Sequence, residues 1–370
     1  MPRLLKTQII GGGGMGTGLA DKIGEQGHFV LVQEQNPRVY TSWSNTGCND
    51  LYSYLAGRKL PKSVVFAEPL KKGARYRTAG FDYTIIAVPA SQLQSVLERL
   101  YISKSGGPIV LLQKGVYCNG QAFRAPHELV LKQHRTSWPR RFNKGDWDPP
   151  IMTFTGSAFA KNILDGGPCG MILATSTVNM AHAKRFAGEI LDPCGVFWTY
   201  LTSELRPVAL FNALRTVSSC IAGALAGYMQ DNDIESVEAF ALQGIERERI
   251  MIARNLLGNA TFEVFDPLSR VRSVLDADLL MCKSISSRNY DFGYRLGQGA
   301  SASDALEATG QMGVVECLPN IDAFARIAIA RSANWSERYP YLSGICRIIN
   351  SQATVEEVAK QIMARRPRLA

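Results

Sequence analysis

Apolar runs and helical patterns alternate along the first half of the chain. Thr7–Ile10 and His28–Gln33 are apolar segments with a helical pattern between them, and Tyr83–Val88 (YTIIAV) and Pro108–Gln113 (PIVLLQ) read as strands buried on both faces. A further helical pattern over Ser91–Arg99, after Pro89, separates the last two. Buried strands alternating with helices imply right-handed crossovers and a parallel sheet, hence an α/β fold. Strands resume at Ile151–Phe154 and Met171–Ala174, and Val196–Leu201 (VFWTYL) reads as the last. From about Ser203 the spacing becomes helical. Val208, Leu210, Phe211, Leu214 and Val217 share one helical period, and the small residues over 218–227 (SSCIAGALAG) suit a tightly packed central helix. The pattern predicts an α/β domain over 1–202 followed by an all-α C-terminal domain over 203–370. The stretch from Cys118 to Pro150 reads as irregular.

The first predicted strand runs into glycines, and there the pattern acquires chemistry. Gly11, Gly13 and Gly16 satisfy G-x-G-x-x-G between a strand and a helix. In that motif the first glycine permits a tight turn, the second lets the backbone approach a pyrophosphate, and the third lets helix and strand pack closely. The amide groups that open the helix, from Gly14 and Met15 onward, would then face the phosphates. The N-terminal domain is therefore expected to be Rossmann-like, doubly wound and dinucleotide-binding. Glu34 stands at the end of the second predicted strand. A carboxylate there accepts hydrogen bonds from the ribose hydroxyls of NAD and repels the extra phosphate of NADP, a discrimination that nearby Arg38 could soften. NAD is the expected cofactor.

Composition changes this picture little. A length of 370 residues exceeds one ordinary hydrophobic core, and 46% hydrophobic with 20% charged residues is the balance of a folded globular chain. No unbroken apolar run of about 18 residues is present, so no membrane span is expected. The opening MPRLLKTQII is too short for a secretory signal, which points to the cytoplasm. Eight cysteines without a Cys-x-x-Cys pair and four dispersed histidines give no support for zinc and favour free thiols in a reducing compartment. The formal charge of +9 favours anionic ligands. Lys132, Arg135, Arg140, Arg141 and Lys144 are interleaved with Trp138 and Trp147. No recognition motif accompanies them, so a solvated basic loop is expected and no nucleic-acid partner.

Six segments also line up, in order, with a known family. The turn GGGGMGTGLA resembles the G-x-G-x-x-G-T-A-L-A turn of the NAD-dependent glycerol-3-phosphate dehydrogenases. Val88-Pro89, with a helix at Gln92, resembles that family's V-P segment, and Lys114-Gly115-Val116 its K-G-[IV] motif. Gly156-Ser157-Ala158-Phe159-Ala160 resembles G-P-S-F-A, Ser287-Arg288-Asn289 with Gly293 resembles S-R-N-x-x-x-G, and Gly313-Val314-Val315-Glu316 resembles the late V-x-E-G segment. The resemblance implies reversible hydride transfer between NAD(H) and a small phosphorylated metabolite, glycerol 3-phosphate or dihydroxyacetone phosphate. It places Pro89, Ala160 and Glu316 at the cofactor beside the glycines. It makes Arg288 the phosphate ligand, through a planar fork suited to bidentate binding, with Asn289 as a second donor. Lys114, at a strand end, would orient the carbonyl or stabilise its oxygen.

The chemistry departs from the family pattern in places. The family's catalytic lysine lies in an A-x-K-N segment, and Ala213-Leu214-Arg215-Thr216 occupies that place here. Arginine is not deprotonated in a protein, so Arg215 can polarise a carbonyl or bind phosphate but cannot serve as an ordinary general base. The family's aspartate in G-D-L-x-x-T-C falls at Ala277, between Asp276 and Asp278, and either carboxylate could take its role, Asp278 being the candidate carried forward. The proline of G-P-S-F-A is Ser157. Three readings stay open: a glycerol-3-phosphate dehydrogenase, a same-fold oxidoreductase for another phosphorylated or anionic metabolite, and a catalytically silent NAD-binding protein. A homodimer is left open as well.

Overall fold

The structure is a computed structural model that describes residues 3–137, 147–156, 158–230, 235–258, 260, 262–281, 287–310 and 314–364. The chain forms two compact units, Met1–Gln113 with Pro126–Val208, and Lys114–Ala125 with Ala209–Ala370. The expected division at 202/203 therefore meets a different one. The first unit reaches into a helix that begins at Leu205, and the segment 114–125 leaves it to join the helices of the second.

Among the described residues the first unit holds one eight-stranded sheet. Its strands are β1 (Lys6–Ile10), β2 (Phe29–Gln33), β3 (Val64–Ala67), β4 (Tyr83–Ile86), β5 (Ile109–Leu111), β6 (Ile151–Gly156), β7 (Cys169–Thr175) and β8 (Phe197–Thr202). They lie in the order β8-β7-β6-β5-β4-β1-β2-β3. From β3 across to β6 every pairing is parallel. Chain order reverses between β1 and β4, the switch point at which doubly wound sheets open a crevice at the strand carboxyl ends. Ile9, Ile85, Val110 and Met152 are buried in these central strands, which is why the runs containing them carry so few polar positions.

Two features correct the expectation of a wholly parallel sheet with an irregular stretch inside it. Strand β7 runs antiparallel to β6 and then pairs in parallel with β8. The segment expected to be irregular contains a hairpin, Tyr117–Asn119 with Ala122–Arg124, and a helix over Pro126–Ser137. Pro126 opens that helix, Glu128 sits in its first turn and Arg135 in its last, as the helix dipole favours. Its polar composition leaves too thin an apolar stripe to stand out as a period. Strand β3, four residues long, was not anticipated either.

Among the described residues the second unit is helical apart from the hairpin. Its elements include α1 (Leu205–Met229), α2 (Glu235–Leu257), α3 (Arg270–Met281), α4 (Arg288–Gly297), α5 (Cys317–Arg331) and α6 (Pro340–Ile349). Helices α1 and α4 meet backbone to backbone. A Cβ on Gly223 would lie 2.1 Å from the Tyr290 carbonyl oxygen, and one on Gly293 would lie 1.9 Å from that of Cys220. Gly227 and Gly297 repeat the arrangement one turn on. By length and composition alone α1 could cross a membrane, a point its interspersed small residues hid; its most apolar window is wholly buried, as in a core helix. The hairpin rests on α5, where Gln121 Nε2 donates to the Ala330 carbonyl at 2.9 Å.

Candidate functional site

In the first unit the site is made of backbone. Gly11 has φ +109°, and a Cβ there would come within 2.9 Å of the Ala87 carbonyl carbon, so only glycine fits. A Cβ on Gly16 would lie 1.9 Å from the Gly11 carbonyl oxygen, which fixes how closely the following helix, Gly14–Glu25, approaches the turn. Gly13 caps that helix without a side chain and leaves open space on its outer side, where a Cβ would meet only the Tyr52 hydroxyl at 3.4 Å. These are the three roles a pyrophosphate-binding turn requires. Met15 is half-buried against the core.

The neighbours of the turn come from separate parts of this unit. Val88, before Pro89, closes against Gly11, and Ala160 stands 3.5 Å from where a Cβ on Gly14 would be. The Glu34 carboxylate accepts the Gly12 N–H at 2.7 Å, the Gln35 N–H at 2.6 Å and the Asn36 N–H at 2.9 Å. The carboxylate is thus held against the turn by three backbone N–H groups. Gly11, Gly13, Gly14, Met15, Gly16, Glu34, Pro89 and Ala160 all belong to this one unit. Its open glycine cradle and uncapped helix start fit a dinucleotide.

Sequence reasoning missed Asn49, Tyr52 and Tyr54. Asn49 is buried, and its Nδ2 donates to the Gly12 carbonyl at 2.9 Å and to Thr17 Oγ1 at 3.0 Å. The Tyr54 hydroxyl lies over Gly14, 1.8 Å from where a Cβ would be. These are single residues in a stretch without periodicity, and no spacing marks them.

In the second unit the site is made of side chains. Lys114 belongs to this unit and not to the sheet it follows. Asn320, on α5, donates from Nδ2 to the Lys114 carbonyl at 2.7 Å and to Thr216 Oγ1 at 2.9 Å, and its Oδ1 accepts the Val116 N–H at 3.2 Å. Thr216 neighbours Arg215, which is buried on α1. At the start of α4, Ser287 Oγ lies 3.3 Å from Ser219 Oγ of α1, and Asn289 Oδ1 accepts the Cys317 N–H at 2.9 Å. Arg288 is half-buried in the first turn of α4. Glu316 caps α5 from its backbone, and its charge adds to burial in pushing the Tyr117 phenol above its ordinary range. Lys114, Arg215, Arg288, Asn289 and Glu316 thus belong to one unit.

Two further arginines pack on the helix that carries Arg215. The guanidinium groups of Arg249 and Arg272 lie 5.3 and 5.2 Å from the ring centre of Phe211, one turn before Arg215, and both pair with Glu246. The side chains of Asp276 and Asp278 lie outside the described residues, as do Ser157, Gly313, Trp138, Arg140, Arg141 and Lys144. Of the remaining basic stretch, Arg135 is paired with Asp148, with Nη2 to Oδ2 at 2.5 Å. Among the described residues no group of three or more His, Cys, Asp or Glu side chains could hold a metal ion.

A family model for the NAD-dependent glycerol-3-phosphate dehydrogenase N-terminus matches residues 6–181, and one for the C-terminus matches residues 204–360. The chain belongs to this family. A glycerol-3-phosphate dehydrogenase [NAD(P)+] of Anaplasma marginale is 23% identical over 365 residues, 97% of each chain. The chloroplastic glycerol-3-phosphate dehydrogenase [NAD(+)] 2 of Arabidopsis thaliana is 24% identical over 372 residues, 98% of this chain and 78% of the relative. The crystal structure of glycerol-3-phosphate dehydrogenase from Coxiella burnetii matches with a TM-score of 0.77 at 19% identity, covering 98% of this chain and 99% of that one. The enzyme from Saccharomyces cerevisiae matches at 0.71 and 14%, covering 97% and 99%. The fold of the glycerol-3-phosphate dehydrogenases, a Rossmann-like sheet followed by a helical domain, thus extends over the whole chain, and NAD is the cofactor of the family. This dehydrogenase departs from the family segments quoted above at Arg215 and Thr216, as well as at Ser157 and Ala277.

Proposed function

We propose that the protein catalyses reversible hydride transfer between NAD(H) and the glycerol 3-phosphate/dihydroxyacetone phosphate pair. The observation that carries this reading is that three cations, Lys114, Arg215 and Arg288, belong to one unit, where Asn320 binds both the Lys114 carbonyl and Thr216, the neighbour of Arg215. Gly11, Gly13, Gly14, Met15 and Gly16 hold the cofactor pyrophosphate, Glu34 the adenosine ribose, and Pro89, Ala160 and Glu316 complete the cofactor site. When bound, NAD supplies or accepts the hydride. Arg288 grips the substrate phosphate in a bidentate pair. Asn289 spends its oxygen on Cys317 and offers its amide nitrogen to the same phosphate. Lys114 exchanges the proton at the carbonyl oxygen, because lysine can be tuned towards neutrality and arginine cannot. Arg215 adds a fixed positive charge to the developing alkoxide. Asp278 takes the place of the family aspartate. A cytoplasmic location and a homodimer belong to the same reading.

The arginine at 215 favours one second reading, a different phosphorylated or anionic carbonyl as substrate. NADH oxidation with dihydroxyacetone phosphate, measured against a panel of other phosphorylated carbonyls, decides between them. Dihydroxyacetone phosphate should be turned over best, and Arg215→Lys should preserve or raise that turnover by restoring the family residue. Loss of activity in Arg215→Lys would show that the arginine recognises an anionic group and would move the assignment to the second substrate class. Thermal stabilisation by NADH without turnover of any carbonyl would leave only a cofactor-binding role.

A further inference from the structure

The residue that holds Lys114 in place lies outside every family segment quoted above. We propose that Asn320 is a positioning residue for Lys114, an inference that rests on the functional reading just given. Asn320 is 1% exposed, and its amide makes three hydrogen bonds. Nδ2 donates to the Lys114 carbonyl at 2.7 Å and to Thr216 Oγ1 at 2.9 Å, while Oδ1 accepts from Val116 at 3.2 Å. Both Nδ2 hydrogens and the oxygen are engaged. Turning the amide over would set its oxygen against the Lys114 carbonyl and its NH2 against the Val116 N–H, so one orientation alone satisfies all three partners.

The third partner reinforces that direction. The Thr216 hydroxyl donates its single hydrogen to the Ala213 carbonyl at 2.8 Å, so towards Asn320 it can only accept. Thr216 stands where the family segment A-x-K-N has its asparagine. A threonine whose hydrogen is already used has no donor for the Lys114 carbonyl, and here the amide comes from α5.

The clamp acts where the chain most needs one. Gln113 is held in the sheet unit, with Nε2 donating to the Ile86 carbonyl at 2.9 Å and the Val88 carbonyl at 3.0 Å. The next residue belongs to the helical unit. Lys114 is followed by Gly115, and glycine gives the backbone its widest conformational freedom. Asn320 pins the carbonyl before that glycine and the N–H after it. A proton donor misplaced by about 1 Å can cost on the order of 100-fold in rate, so the hold on Lys114 bears directly on turnover.

The test compares wild type, Lys114→Ala, Asn320→Ala and Thr216→Val, the last replacing by a methyl group the hydroxyl that accepts from Asn320 and donates to Ala213. The readouts are kcat and KM with dihydroxyacetone phosphate, the pH–rate profile, the NADH dissociation constant, and hydrogen exchange at the Val116 amide. Asn320→Ala should lower kcat roughly 10–100-fold. It should shift the ionisation assigned to Lys114, speed exchange at Val116, and leave NADH affinity within about twofold. Thr216→Val should move kcat and the pH profile in the same direction by less, and it carries the test if Asn320→Ala does not fold. Wild type without turnover, or Lys114→Ala with full turnover, would sink the functional reading. Turnover abolished in Lys114→Ala, but unchanged in rate and pH profile in Asn320→Ala or Thr216→Val, would sink this proposal alone.

Discussion

The glycine turn of the sheet unit occupies six consecutive residues, 11–16, and shapes itself with main-chain atoms. The candidate substrate site of the helical unit draws Lys114, Arg215, Arg288 and Asn320 from four distant segments, and the Asn320 side chain ties Lys114 to Thr216, the neighbour of Arg215. A site made of backbone has few acceptable sequences: a methyl group on Gly16 has nowhere to go. A site made of side chains can pass a function from one residue to another, provided each hydrogen bond is still made. The amide bound to Lys114 is therefore free to come from α5, and the cofactor turn can persist while the helical unit changes.

That contrast is open to test. The largest effect belongs to Arg288→Ala, which should cost about 2–5 kcal/mol of binding for a phosphorylated substrate, the scale for breaking a desolvated charge pair. Calorimetry should find NADH affinity nearly unchanged, and a parallel collapse of NADH binding would erase the division of labour. A second test concerns acid. All four histidines lie in the sheet unit. Burial, with the nearby charge of Arg206, holds the His127 imidazole down at about 4, and its Nδ1 has no hydrogen-bond partner among the described residues. The unfolded chain takes up this proton near pH 6.5 and the folded one only near 4, so the unfolded state binds more protons in between. Stability is full above that window and falls as pH drops through it, by up to about 3 kcal/mol. His127→Gln should flatten the thermal-denaturation profile over the same range; an unchanged acid slope would locate the sensitivity elsewhere. The smallest effect is at Glu34. NAD(H) should bind better than NADP(H) by about 1–3 kcal/mol, and Glu34→Gln should narrow that gap without altering substrate affinity. Equal wild-type affinities for the two cofactors would remove the carboxylate from the recognition of ribose.

What could be read in the sequence follows the same divide. The strands β1 and β4 and the turn after β1 were legible because burial on both faces and the glycine spacing are local signals. Arg215 stood out because a neighbouring family segment supplied the frame. Asn320 did not, because one polar residue within an apolar helix carries no period, and its partners lie more than 100 positions away. The reversed strand β7 and the excursion over 114–125 were hidden for a related reason. A strand's direction and a segment's allegiance are set by what it pairs with, and pairing leaves no mark on the run itself.

The chain passes between its two units three times, at 113/114, 125/126 and 208/209. No single cut therefore yields a self-sufficient half. A fragment ending at 208 would carry the hairpin without the α5 carbonyl that Gln121 binds, and its complement would lack Lys114 altogether. The same holds for chimeras. Grafting a relative's helical unit onto this sheet unit requires residues 114–125 to travel with it, since the host segment would otherwise meet a foreign helix at the position of Asn320. Recombination between such relatives should be tolerated when breakpoints at 113/114, 125/126 and 208/209 are combined and rejected at the single breakpoint that linear sequence suggests.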